Sequence, residues 1–141
     1  MVLAVVVIGP SAQAADKSLA GVYACKGTNP DGQQYAGFVE IPATGSTYHA
    51  RWTFPETADR PVGAGFVRDG RFVIGYSNAA GAVIVAVYDI HGKTLKGHWT
   101  AVGSGRIWDE TLERQPAGVT VPDPVVSPHG PHGAPGALET A

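Results

Sequence analysis

Between residues 18 and 114 apolar and polar side chains alternate in short runs, with turn signals every 8 to 15 residues. No stretch holds a 3.6-residue period for more than two turns. Period-two alternation punctuated by Gly, Asn and Asp is the mark of antiparallel strands. The pattern predicts eight strands, at 21–26, 35–42, 47–54, 62–68, 71–76, 82–90, 94–101 and 106–114. Asp69-Gly70 and His91-Gly92 are expected as two-residue hairpin turns, because Gly accepts positive φ. Asn29-Pro30-Asp31-Gly32, Thr44-Gly45-Ser46 and Gly103-Ser104-Gly105 are expected to close longer turns. Only 55–61 is a long connection. Links this short make each strand pair with its sequence neighbour. The fold class expected is all-β, an eight-stranded antiparallel up-and-down meander barrel whose closure removes both sheet edges.

Alternation also assigns the faces. Tyr48, Ala50, Trp52 and Phe54 share one side, against His49, Arg51 and Thr53. Leu95, Gly97, Trp99 and Ala101 oppose Thr94, Lys96, His98 and Thr100. Tyr35, Gly37, Val39 and Ile41 turn inward. The candidate interior is therefore aromatic: Tyr23, Tyr48, Trp52, Tyr76, Trp99 and Trp108. If Trp108 and Leu112 point inward, Glu110 does too. A carboxyl inside a barrel needs hydrogen-bond partners or a shifted pKa. Tyr23, Tyr48 or Tyr76 are the expected partners. Glu110 then either orients a polar ligand group or makes a structural hydrogen bond. The strand at 82–90 is apolar on both faces, with Val83, Val85 and Val87 opposing Ala82, Ile84, Ala86 and Tyr88. Its outer face needs a cover, and a homodimer contact is expected there.

The two ends of the chain differ from this core. Val2 to Ile8 is an unbroken apolar run followed by Gly9-Pro10 and Ala12-Gln13-Ala14. That pattern predicts a signal peptide over residues 1–14, although no Lys or Arg precedes the run; the other reading is a first core strand. A periplasmic or secreted location without a membrane anchor follows as an expectation. Residues 115–141 hold six of the chain's 11 prolines and are expected to form a disordered tail. His129 and His132 lie in it without a carboxylate or Cys beside them, so no metal site is expected. The barrel domain is thus placed at 18–114. Cys25 is the sole cysteine, so no internal disulfide can form. It is expected as a small buried residue, or else as a link between chains.

Several pieces occur in a particular order: Gly21-Val22-Tyr23, Gly27 to Gly32, Tyr35-x-Gly37-x-Val39, Tyr48 with Trp52, Gly63-x-Gly65, Val85-x-Val87-Tyr88, Leu95-x-Gly97-x-Trp99-Thr100 and Glu110-Thr111-Leu112. That order resembles small exported bacterial proteins commonly labelled fibronectin-binding protein. The resemblance implies binding of an extracellular-matrix protein. The architecture resembles that of calycins, the lipocalins and avidins among them. Gly21-Val22-Tyr23 looks like their Gly-x-aromatic start, which implies that Arg114 closes over Tyr23.

Charge and chemistry narrow the functions. The net charge is −2 and basic residues are scattered, which gives no footprint for nucleic acid. No nucleophile, base and orienting group converge, so an enzyme is not expected. Nothing in the sequence requires a cofactor. Two readings remain. The first is a secreted non-catalytic binding protein for an extracellular host protein of the fibronectin type. The second is a carrier of a small apolar or aromatic ligand inside the barrel.

Overall fold

Two kinds of turn divide the molecule into two unlike ends. The computed structural model describes residues 19–122. The expected signal segment and the tail beyond Pro122, including His129 and His132, lie outside the described residues. Among the described residues nine strands are formed: β1 (Gly21–Thr28), β2 (Gln34–Ile41), β3 (Ala43–Thr44), β4 (Thr47–Thr53), β5 (Val62–Arg68), β6 (Arg71–Ser77), β7 (Val83–His91), β8 (Thr94–Ala101) and β9 (Trp108–Arg114). Pro42 has no N–H to give the ladder, so the second strand ends at Ile41, one residue before its expected end, and the two-residue β3 follows where no strand was expected. Sequence neighbours pair antiparallel, except β2 and β3. β1 also pairs with β9, and β2 pairs with β4 on either side of the β3 hairpin. The result is a closed eight-stranded antiparallel barrel.

At one end the connections are as short as they can be. Asp69 and Gly70 both have positive φ, 51° and 73°, as a type I′ turn requires. The next tight turn is not His91-Gly92 as expected. His91 pairs with Thr94, so the loop residues are Gly92 and Lys93. Gly92 alone is left-handed, with φ 60°, which fits a type II′ turn. Gly45-Ser46 is likewise a two-residue turn rather than a longer one. The chain before β1 seals this end. Leu19 is buried, and its carbonyl accepts the Tyr23 hydroxyl at 2.8 Å. Arg114 donates to the Ala20 carbonyl at 2.7 Å and lies 5.5 Å from the centre of the Tyr23 ring. A cation over a ring at that distance contributes about 0.5–2 kcal/mol. The expected closure of Arg114 over Tyr23 is therefore present. Gln115, expected in the tail, still donates to Val22 at 2.8 Å and prolongs the β1–β9 ladder by one residue.

The opposite end carries the longer loops, at 29–33, 54–61, 78–82 and 102–107. Asp59 ties two of them together by accepting the Ala79 N–H at 3.2 Å. These loops gather at one rim, the mouth of the barrel. Inside, Tyr23, Trp52, Phe72, Tyr88, Trp99 and several aliphatic residues are almost fully buried. The expected faces of β4 and β8 hold along their inward rows.

Candidate functional site

Glu110 lies on the inward face of β9 and is only 2% exposed. Its register neighbours are Gly97 on β8 and Gly27 on β1. Neither has a side chain, so the space on both sides of the carboxyl is open. Tyr88 reaches across from β7, where it pairs with Gly97, and Tyr35 from β2, where it pairs with Gly27. The Tyr35 hydroxyl donates to Glu110 Oε2 at 2.6 Å, and the Tyr88 hydroxyl donates to Oε1. One row of five strands thus reads Tyr88, Gly97, Glu110, Gly27, Tyr35. The partners expected for Glu110 were Tyr23, Tyr48 or Tyr76, and this is corrected. Tyr23 is engaged with Leu19 at the sealed end. Tyr48 stands edge-on to Phe72, 5.9 Å between ring centres. Tyr76 lies against Trp52 instead.

The glycines are required by this arrangement. A Cβ at Gly97 would come within 2.3 Å of the Tyr88 ring and 2.5 Å of the Val87 carbonyl oxygen. One at Gly27 would meet the Tyr35 hydroxyl at 2.1 Å. Gly97→Ala should therefore cost about 2–3 kcal/mol, the upper range for overpacking, since the backbone oxygen cannot step aside. Chemical denaturation of that variant checks it; a loss below about 0.5 kcal/mol would mean that Tyr88 is loosely held.

Burial keeps the tyrosine hydroxyls around Glu110 protonated. Burial first, and then the nearby Glu110, push the Tyr88, Tyr35 and Tyr76 hydroxyls well above the ordinary phenol range. The same two causes push the Cys25 thiol up. Cys25 is buried, which suits a small core residue and leaves it a poor nucleophile. Among the described residues no group of three or more His, Cys, Asp or Glu is placed to hold a metal.

Three aromatic pairs stand near the mouth. Trp52 lies on Tyr76 at 4.4 Å, Trp99 on Trp108 at 4.6 Å, and Tyr35 meets Phe54 edge-on at 5.6 Å. Of the residues expected to line the interior, Trp52, Tyr76, Trp99, Trp108 and Glu110 belong to this half of the barrel. Tyr23 and Tyr48 belong to the sealed half. Trp108 is half-buried rather than enclosed, because β9 begins there, at the rim. The indole N–H groups of Trp52 and Trp99 are buried and have no protein acceptor.

Asn29 adds a residue that alternation alone does not reveal. The loops at 29–33 and 78–82 have the same backbone form. Gly32 donates to the Asn29 carbonyl at 2.9 Å, as Gly81 does to Asn78. In the second loop the Asn78 side-chain oxygen accepts the Ala82 N–H at 2.9 Å. In the first, the corresponding N–H, that of Gln33, goes to Asp31 at 2.9 Å. The Asn29 Oδ1 is therefore left buried and without a protein donor, on a residue 6% exposed. It lines a pocket of about 560 Å³ together with Lys26, Gln33, Tyr35, Phe54 and Glu56. Tyr35 is the shared wall between this pocket and Glu110.

No protein-family model matches the chain, and no curated protein matches it. Solved structures do. A de novo designed fluorescence-activating β-barrel aligns with TM-score 0.59 at 18% identity, over 72% of this chain and 97% of that one. A redesigned β-barrel aligns with TM-score 0.63 at 17% identity, over 72% and 96%. Another redesigned β-barrel, mFAP1 bound to DFHBI, aligns with TM-score 0.61 at 17% identity, over 71% and 98%. These likenesses establish the barrel fold, and they give no support to the fibronectin-binding resemblance.

Proposed function

We propose that this chain is an exported, non-catalytic binding protein that takes a small, flat, mainly apolar ligand at the mouth of its barrel. The observation that carries the reading is the orphaned Asn29 Oδ1 beside the Tyr35–Phe54 pair, in a pocket of about 560 Å³. A buried acceptor without a donor is costly, on the order of 1–3 kcal/mol, and a ligand N–H or O–H would remove that cost. The aromatic pair offers the apolar wall, and Lys26, Gln33 and Glu56 line the polar side. Pockets of this size and mixed lining suit small molecules. A barrel of the same architecture that holds DFHBI is consistent with this use of the fold.

Native mass spectrometry of the purified protein, followed by calorimetry with planar heteroaromatic compounds bearing an N–H donor, tests the proposal. Asn29→Ala should weaken binding about tenfold, the equivalent of one hydrogen bond. Asn78→Ala should lower the melting temperature and leave affinity unchanged. Absence of any bound or bindable small molecule would count against the site. The reading with an extracellular-matrix protein as partner rests on the order of sequence motifs alone, and a pull-down with immobilised fibronectin decides it.

A further inference from the structure

The pocket at the mouth holds two charges that no described residue answers. Lys26 and Glu56 both line it. Among the described residues the ion pairs join Glu40 to Arg51, Asp89 to Arg71 and Asp109 to His98, and neither Lys26 nor Glu56 takes part in one. The fold sets these two on different elements. Lys26 is exposed on β1, where its register partners are Ala36 of β2 and Thr111 of β9. Glu56 is exposed in the loop after β4, within a turn that the Thr57 N–H closes by donating to the Phe54 carbonyl at 3.3 Å. Pro55 comes just before it and presets φ for such a turn. The same pocket is lined by Tyr35, Phe54 and Asn29, whose buried Oδ1 has no donor.

Resting on the ligand reading above, we infer that the pocket takes an aromatic α-amino acid as its zwitterion. The ring is the flat, apolar body that suits the Tyr35–Phe54 pair. The ammonium supplies the N–H that Asn29 Oδ1 lacks and answers the charge of Glu56. The carboxylate answers Lys26. A neutral ligand leaves both pocket charges unmet, and a singly charged one leaves one of them unmet. Lys26 and Glu56 cancel, so a zwitterion enters without adding net charge. The two ends of the ligand contribute unequally. Lys26 and Glu56 are exposed, and an exposed ion pair is worth at most about fivefold in affinity. The ammonium also donates to a buried oxygen, and a charge-assisted hydrogen bond is the stronger kind. Loss of the ammonium should therefore cost more than loss of the carboxylate.

Calorimetry at low salt with L-tryptophan, tryptamine, indole-3-propionate and indole is the test. Tryptamine lacks the carboxylate, indole-3-propionate lacks the ammonium, and indole lacks both. L-Tryptophan should bind about fivefold tighter than tryptamine and about tenfold or more tighter than indole-3-propionate. Lys26→Met should weaken L-tryptophan and indole-3-propionate about fivefold and leave tryptamine unchanged. Glu56→Gln should weaken L-tryptophan and tryptamine about fivefold and leave indole-3-propionate unchanged. Both variants should keep the parent's circular dichroism spectrum, since both positions are exposed. Indole binding as tightly as L-tryptophan overturns the inference and leaves the aromatic pocket standing, as does either variant weakening all the probes alike. L-Tryptophan amide binding as tightly as L-tryptophan overturns the carboxylate contact and assigns the pocket to the first residue of a peptide. Failure of every probe, together with the donor-bearing heteroaromatic compounds named above, overturns the pocket itself.

Discussion

Above pH 10 three buried tyrosines should make the barrel lose stability by about 4 kcal/mol for each further pH unit. Tyr35, Tyr76 and Tyr88 each have an ordinary value of 10.0 and are pushed well above it in the folded chain, chiefly by burial and then by Glu110. Below pH 10 all three hydroxyls are protonated whether the chain is folded or not. Above it the unfolded chain releases these protons and the folded chain keeps them. Stability therefore falls as pH rises, by about 1.4 kcal/mol per unit for each group. Cys25, with an ordinary value of 9.0 that burial and Glu110 also raise, starts the decline one unit earlier. Together these groups make the alkaline loss large beside the 5–15 kcal/mol that holds a typical domain together. Tyrosinate absorbance near 295 nm and far-ultraviolet circular dichroism, followed together, check this. The two should change in one cooperative step between about pH 10 and 11. Tyrosinate appearing while the strand signal persists would mean that water reaches these hydroxyls in the folded barrel. Tyr35→Phe with Tyr88→Phe should remove about two-thirds of the tyrosine contribution to the slope.

Much of this arrangement is legible in the sequence, and the gaps have physical causes. Alternation places Tyr35, Gly97 and Glu110 on inward faces. It cannot say which tyrosine meets Glu110, because that depends on register between strands as distant in sequence as β2 and β9. The signal that was present is glycine. Gly27 and Gly97 are the two inward positions beside Glu110 that leave room, and each faces a tyrosine on its other neighbour. The turn at Gly92 was displaced by one residue because His91-Gly92 and Gly92-Lys93 both offer a glycine, and only pairing with Thr94 separates them. Asn29 was hidden for a different reason. Its side chain is free only because Asp31 takes the Gln33 N–H, a competition between neighbours that a turn motif does not resolve. On the outer wall, Val83, Val85 and Val87 announce themselves along one strand. Phe66 and Val62 join them only once β5 and β6 are laid alongside.

Glu110→Leu should destabilise the barrel by about 2–6 kcal/mol, and the triple variant Glu110→Leu, Tyr35→Phe, Tyr88→Phe should recover nearly all of it. The single change keeps the volume of the buried side chain but removes the acceptor for two hydroxyls. Each orphaned hydroxyl costs about 1–3 kcal/mol. Removing those hydroxyls as well leaves an apolar layer with nothing unsatisfied, and such replacements of buried polar networks are often neutral or stabilising. The recovery therefore separates two explanations for a carboxyl in the middle of a barrel. If the triple variant is as stable as the parent, the network is not what holds the fold, and its retention points to the mouth it adjoins through Tyr35. That variant should then fail to bind ligands that the parent takes, while Gly97→Ala, which is strained but keeps all three polar groups, should bind more weakly rather than not at all. If the triple variant is instead as unstable as Glu110→Leu, the network contributes stability beyond its local hydrogen bonds. Tyr35 would then be a structural strut, and ligand recognition would have to rest on Asn29 and Phe54 alone. Urea denaturation of the four proteins, with calorimetry on the parent, the triple variant and Gly97→Ala, distinguishes these outcomes.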